Sequence, residues 1–432
     1  MGQNDQSLYD VVIVGSGPAG MGAAFEISEI KPEASILMLD KRKYSSGGMR
    51  NDCKMNFTFP IGFPLEYWEA DEAEDYLAKV SEFLKPTILK KSRLEIYQKR
   101  AQRLDCRMLN VEQTHLGTDG GLKLIKQLLG ELDDRGIDLA LEEEMLDLDP
   151  EKNCIRTDKR TIGFKSLLIA PGRQGFRFLQ QVLDRLGVSY IDNIVDIGIR
   201  VETRLEHYPI VTDYYDPKIY FPDKVRTFCT NSGNAHVVKE QYTSSTGGPY
   251  ISVNGHAFST THGKANGLVN FAILNTVGFT QPLASGQQYA ENLGLQAMLM
   301  GGGKPLMQRV GDFRLGSRSK AESFNADLYD FQPSLRDCCP GDIALAMPAR
   351  IMRAIWKAMK KLDTIVPGVL HPSTIMYYPE IKLYANKPTY LDRHFRVRDG
   401  IYLAGDGAGT SRGITGAWAS GIRAAEGMLT RM

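Results

Sequence analysis

Near its start the chain runs a short strand straight into a glycine turn, and that junction restricts the possible folds more than any other feature. Residues 9–14, Tyr-Asp-Val-Val-Ile-Val, form an apolar run of the kind buried in a parallel sheet. Gly15-Ser16-Gly17-Pro18-Ala19-Gly20 follows, then the helix-like stretch MGAAFEISEI, then a second strand from Ser35 to Leu39 that ends at Asp40. In such a unit Gly15 permits the tight turn, Gly17 lets backbone approach a pyrophosphate, and Gly20 allows helix to pack closely on strand. The helix N-terminus offers unpaired N–H groups and a partial positive charge to phosphates. Asp40 stands where an acid accepts from two ribose hydroxyls, and an acid there disfavours a 2′-phosphate. The reading is a Rossmann-type dinucleotide site.

The opposite end of the chain narrows the dinucleotide. Residues 400–409, Gly-Ile-Tyr-Leu-Ala-Gly-Asp-Gly-Ala-Gly, read as a buried strand running into Gly405-Asp406. Gly413-Ile414-Thr415 then opens a helix of small residues. Between the two ends, Ser166 to Ile169 is a strand leading into Ala170-Pro171-Gly172-Arg173. These three motifs together resemble the large FAD-binding family shaped like glutathione reductase and p-hydroxybenzoate hydroxylase. In that family an acid like Asp406 bonds the ribityl chain, and the following helix points at the N1–O2 edge of the flavin. Negative charge gathers at that edge on reduction, and a helix N-terminus favours it. The family's middle motif usually reads Ala-Thr-Gly; here Pro171 stands in place of Thr.

The resemblance implies FAD as cofactor, with contacts expected from Gly15, Ser16, Gly17, Pro18, Ala19, Gly20, Asp40, Lys41, Gly47, Gly48, Lys54, Gly172, Arg173, Gly405, Asp406, Gly413, Ile414 and Thr415. No second GxGxxG follows a strand, so a separate NAD domain is not expected. Electrons are expected from transiently bound NAD(P)H, from a carrier protein, or from the substrate.

Further stretches are similar to a group of FAD-dependent dehydrogenases, also termed NAD(FAD)-utilising dehydrogenases, distantly related to geranylgeranyl-reductase-like flavoproteins. They are Gly47-Gly48 through Asp52 with Lys54 and Asn56, His115 to Asp119, Asp196 to Glu202, Thr227 to Cys229, Val253 to His256, and Ala265 to Gly267. That group often carries Phe-Cys-Met-Cys-Pro-Gly-Gly; this chain has Phe228-Cys229-Thr230-Asn231-Ser232-Gly233-Asn234, without the second cysteine.

The expected fold is α/β, or α+β overall. A discontinuous Rossmann-type FAD domain covers 1–175 and 395–432, with a helical excursion at 61–104. A mostly antiparallel β-sheet with helices, inserted at 176–394, forms the substrate domain. The excursion is inferred from apolar residues at helical spacing (Tyr67, Ala70, Ala73, Leu77, Val80, Phe83).

The expected function is hydride transfer between flavin N5 and a small organic substrate by a dehydrogenase or reductase. The alternative is a monooxygenase or halogenase-like enzyme that forms a hydroperoxyflavin. Against it, Asp119-Gly120 precedes the middle strand rather than following it, and Trp68, Trp356 and Trp418 form no halogenase motif. A third class, a non-enzymatic chaperone on the same fold, is opposed by the intact glycine turn and Asp406.

Candidate chemistry is sparser. Cys229 and His256 are expected at the ends of two adjacent strands of the substrate domain, where either could deliver a proton. Their alternative is packing within a sheet. Cys53 reads as a buried structural thiol, because a disulfide reductase needs a second cysteine beside it. Lys54 and Asn56 reach FAD phosphate or the flavin edge, or lie in a solvated loop. His115 reads as a cap or core residue, and Arg173 and Arg200 as partners for a substrate carboxylate or as structural arginines. No role is assigned to Cys338-Cys339, and Gly301-Gly302-Gly303-Lys304 lacks P-loop spacing.

Composition sets the outer limits. With 52 Lys and Arg against 51 Asp and Glu, the net charge is +1, and no basic run draws the chain to nucleic acid. No apolar stretch of about 18 residues is present, so no membrane span is expected. The opening MGQNDQSLYD lacks a signal peptide's basic and apolar regions, and six scattered cysteines form no disulfide framework. A cytoplasmic protein is expected, with no metal site.

Overall fold

Val11, Val12 and Ile13 are wholly buried and Val14 nearly so, without the alternation of a half-exposed strand. The reason is cover on both faces of the sheet. Val11 and Ile13 join one apolar cluster with Met38, Leu168 and Trp418. Val12 and Val14 join another with Leu37, Leu167, Ile169 and Leu183. The computed structural model describes residues 7–45, 47–192, 194–258, 264–279, 285–325, 329, 331–383 and 386–432.

The chain packs as two units: residues 1–88, 112–192 and 384–432 form the first, and residues 89–111 and 193–383 the second. In the first unit the strands run in the order Arg396–Arg398, Ile401–Leu403, Thr161–Ile169, Ser7–Val14, Ile36–Asp40, Asp138–Leu141. All but the outermost pair are parallel, with Val12 opposite Leu37 on one side and Leu167 on the other. The strand Ile401–Leu403 thus lies two places from the opening strand, although the two stand at opposite ends of the chain.

One sheet face carries the glycine helix Pro18–Ile30, Gly117–Asp134 and the C-terminal helix Ile414–Leu429. The other carries Phe176–Leu186 and the hairpin of Met145–Asp149 with Cys154–Thr157. The glycine helix and the C-terminal helix meet through small residues. A Cβ on Gly421 would lie 1.9 Å from the Ala19 carbonyl oxygen, and one on Gly22 would lie 2.5 Å from that of Trp418. Helix Ala70–Leu84 buries Ala73, Tyr76, Leu77 and Val80 on one face.

The second unit is built on an eight-stranded sheet in the order Cys339–Pro340, Leu306–Arg309, Ile375–Leu383, Ile194–Arg204, Leu268–Gly278, Val225–Asn231, Lys218–Phe221, Arg107–Leu109. Only the outermost Cys339–Pro340 pairing is parallel. A separate hairpin joins Asn234–Thr243 to Pro249–Phe258. Helix Ala349–Ile365 turns Ile351, Ile355, Met359 and Leu362 inward. Segment 89–111 enters this unit because Arg107–Leu109 is hydrogen-bonded to Lys218–Phe221. The architecture is the expected α/β class, with a mostly antiparallel second sheet. Among the described residues no helix is long and apolar enough to cross a membrane.

Candidate functional site

The glycine turn sits where the opening strand gives way to its helix. The Gly15 N–H donates to the Leu39 carbonyl (2.8 Å), which ties the turn to the second strand. Gly15 has φ +107°, and a Cβ there would lie 2.3 Å from the Ala170 oxygen. A Cβ on Gly20 would lie 1.9 Å from the Gly15 oxygen. Close approach of backbone to backbone therefore demands glycine at both positions. The helix begins with Gly17 as N-cap and Pro18 after it, and no side chain caps the first turn. Its leading N–H groups face the turn, as an anion site requires.

Asp40 closes the second strand. Its carboxylate accepts from the Ser16 N–H (2.9 Å), the Ser16 hydroxyl (2.8 Å) and the Arg42 N–H (2.9 Å). Ser16 is fully buried, so the acid is held against the turn. Lys41 points elsewhere and pairs with Glu144 at 3.2 Å, both half exposed.

The middle and C-terminal motifs meet each other. A Cβ on Gly407 would lie 2.3 Å from the Gly172 oxygen. Arg173 Nε donates to Asp406 Oδ2 (3.1 Å). Asp406 also accepts from the Gly413 N–H (2.9 and 3.0 Å to its two oxygens) and from the Ser411 hydroxyl (3.0 Å). One carboxylate thus fixes the loop that launches the C-terminal helix. The turn before it is pinned from the Gly405 N–H to Thr410 Oγ1 (2.9 Å) and Ser420 Oγ (3.0 Å). The C-terminal helix, like the glycine helix, has no side-chain cap at its N-terminus.

The segment after Gly47 runs along that terminus. A Cβ on Gly48 would lie 3.5 Å from Ile414 Cγ1. Thr415 Oγ1 donates to the Asn56 carbonyl (2.6 Å). Lys54 and His115 are register partners on a two-stranded ladder. Asp52 joins them: its Oδ2 lies 2.9 Å from Lys54 Nζ and its Oδ1 2.7 Å from His115 Nε2. Burial alone would raise the Asp52 carboxyl, but Lys54 and His115 outweigh it and hold it well below the usual range. Cys53, fully buried beside this acid, is pushed up to about 12, by burial first and by the Asp52 charge second. A thiol so raised is no nucleophile at neutral pH.

Backbone at three of these stretches borders open space. Among the described residues, and apart from the glycine itself and its two chain neighbours, no atom lies within 4 Å of where a Cβ would stand on Gly47, Gly172 or Gly413. Two helix N-termini without side-chain caps and an acid beside the turn are groups of the kind that take the phosphates and ribose of a dinucleotide.

In the second unit the sequence-based candidates fare differently. Arg200 is no anchor for a substrate acid, because its guanidinium is spent internally. It donates to both oxygens of Glu380 (2.8 and 2.6 Å), to the Cys229 carbonyl (2.8 Å), to Asn254 (3.0 Å) and to Asn270 (3.3 Å). Arginine and glutamate are both wholly buried. A Cβ on Gly255 would lie 2.1–2.7 Å from Asn270, Asn231 and Arg200, so glycine there admits the network.

Cys229 and His256 do not stand on paired strands. Val225–Asn231 belongs to the large sheet, whereas His256 lies in the separate hairpin opposite His236. Cys229 has φ +49°, within a register break of its strand. Asp52, the link between Lys54 and His115, is marked in the sequence only by its place between the Gly47-Gly48 pair and Lys54.

Residues 9–197 match the family model described as pyridine nucleotide-disulphide oxidoreductase. No curated protein matches the chain. Among solved structures it is similar to glycine oxidase from Geobacillus kaustophilus, at 11% identity and TM-score 0.45 over 98% of this chain and 95% of that one. It is also similar to L-proline dehydrogenase from P. horikoshii, at 10% identity and TM-score 0.45 over 99% and 94%. A geranylgeranyl bacteriochlorophyll reductase-like protein from Thermoplasma acidophilum aligns at 13% identity and TM-score 0.38 over 98% and 78%. The family match spans the glycine turn, Asp40 and the middle motif, and with them it marks the chain as an FAD-dependent oxidoreductase with an FAD/NAD(P)-binding Rossmann unit.

Proposed function

We propose that this enzyme is a dehydrogenase or reductase acting on a small organic molecule, supplied with electrons by transient NAD(P)H or by a carrier protein. FAD, when bound, supplies two-electron hydride chemistry at its N5 atom. In this reading the N–H groups from Gly15 to Gly20 hold the pyrophosphate and Asp40 holds the adenosine ribose. Arg173 and Asp406 hold the ribityl region, and Gly47, Gly48, Lys54 and Gly413 to Thr415 border the ring. The second unit is assigned to the substrate, with Cys229 and His256 as its candidate proton donors. The observation that carries the cofactor assignment is the glycine turn, where a Cβ on Gly15 or Gly20 would meet backbone oxygen at 2.3 or 1.9 Å, the helix after it has no side-chain cap, and Asp40 is held beside it by Ser16.

Direction and electron source are tested by anaerobic titration of the purified yellow protein. Bleaching of the flavin by NADH, NADPH or a reductase-carrier pair, with colour restored by an organic acceptor, is the expected result, together with no substrate-dependent oxygen uptake in a parallel aerobic assay. Substrate-dependent oxygen consumption with an oxygenated product would replace this reading by the monooxygenase.

A further inference from the structure

Helix Ala349–Ile365, whose apolar side chains face the second unit's core, carries a basic face outward. Arg350, Arg353, Lys357 and Lys360 recur at spacings of three and four and are all exposed, so they form one stripe of cations. Lys357 stands 3.9 Å from Asp223, with both side chains more than half exposed, and such a pair is weak in water. Among the described residues Arg350, Arg353 and Lys360 have no acidic partner. The helix contains one acid, Asp363, and its carboxylate is occupied by the Gly368 and Leu370 N–H groups (3.1 and 2.9 Å). In a chain with 52 basic and 51 acidic residues, the stripe is a local excess of positive charge.

Two leucines lie beside it. Phe313 packs on Trp356 with ring centres 4.7 Å apart, which seats helix Val310–Arg314 next to the stripe, because Arg353 and Lys360 flank Trp356 by one turn on either side. Leu315 follows that helix and is 81% exposed. Leu345 is 65% exposed, and Gln308 ties its segment to that of Leu315. The Gln308 amide donates to the Ser317 carbonyl (2.9 Å) and accepts from the Ile343 N–H (3.0 Å). Arg314 and Arg318, both exposed, bracket Leu315, and no acid stands between Asp312 and Glu322. Exposed leucines ringed by cations match a surface with anionic headgroups above an acyl boundary. A partner that offered charge alone would leave both leucines in water.

We propose that this face of the second unit, the stripe from Arg350 to Lys360 with Leu315 and Leu345, docks the protein on the surface of an anionic lipid bilayer. The cations meet the headgroups and the two leucines enter the acyl boundary, without any helix crossing the membrane.

Vesicle flotation of the full chain tests this. Vesicles of phosphatidylcholine with about one third phosphatidylglycerol should carry the protein, vesicles of phosphatidylcholine alone should not, and about 0.5 M salt should release it. Arg350→Gln, Arg353→Gln and Lys360→Gln together should lower the partition coefficient about a hundredfold, which is about fivefold for each cation removed from an anionic surface. Leu315→Ser with Leu345→Ser should lower it at least about tenfold, because less apolar area then enters the acyl boundary. All five positions are exposed, so both variants should melt with the wild type. Wild-type protein that stays in the buffer at low salt overturns the proposal, as does undiminished partitioning of either variant. Salt-sensitive retention on immobilised polyglutamate by a protein that ignores the vesicles also overturns it, and makes the partner an acidic macromolecule.

Discussion

Gly20→Ala should strip the protein of its cofactor and lower its stability at once. A methyl group at that position would stand 1.9 Å from the Gly15 oxygen and 3.2 Å from Ile13 Cγ2. The first obstacle is backbone and cannot rotate aside, so the turn must shift or the helix must lift. Lifting the helix disturbs its packing on Ile414–Leu429, where Gly421 already lies against Ala19. Overpacking of this sort costs about 1–3 kcal/mol. The cofactor loses more, because N–H groups aimed at a pyrophosphate act only when aligned. FAD affinity should fall about a hundredfold or more, the loss of two charge-assisted hydrogen bonds, and the FAD retained through gel filtration should drop with it. Gly130→Ala is the control, since its methyl would enter open space on the exposed side of helix Gly117–Asp134. It should keep full FAD and not lower the melting temperature. A Gly20→Ala protein with full FAD and wild-type melting would show that the turn is not the cradle described.

Glu380→Gln is expected to be the most destabilising single change in the second unit. It would leave the Arg200 guanidinium buried at 0% exposure, with a neutral amide where both carboxylate oxygens now accept. Asn254, Asn270 and the Cys229 carbonyl can share hydrogen bonds with the cation but cannot neutralise it. Breaking a buried pair on one side costs about 3–5 kcal/mol. Replacing Arg200 and Glu380 together by Met should cost less than either single change, because the guanidinium is then not stranded and Lys382, 3.4 Å from Glu380, keeps Glu240 at 3.9 Å. Urea denaturation of Glu380→Gln, Arg200→Met and the double variant checks this. A Glu380→Gln midpoint equal to wild type would mean that the pair contributes nothing.

These two cases also show what a sequence discloses. The glycine turn is legible because strand, turn, helix and acid lie within residues 9–40, and each residue type answers a local need. The parallel sheet follows from Val11 to Val14, whose unbroken apolar run signals cover on both faces. Arg200 was open to misreading for the opposite reason. Its meaning lies in Glu380, 180 positions away, and only sheet pairing brings the two together. The same holds for Asp52 and His115, 63 positions apart. Arg107–Leu109 belongs to the second unit through a ladder with Lys218–Phe221, which no periodicity in the intervening residues announces. Cys229 and His256 look like neighbours in a run of short strands, yet the chain turns into a separate hairpin between them. Local chemistry can be read along the chain, whereas charge pairing across a sheet depends on register.

The central claim is that the glycine turn, Asp40, the middle motif and the Gly405-Asp406 loop together hold FAD. The most direct measurement is to purify the protein, add FAD, remove the excess, denature the chain and identify the released flavin by mass. One FAD per chain is the predicted result. A chain that retains no flavin after incubation with FAD, or that releases only NAD, would contradict it.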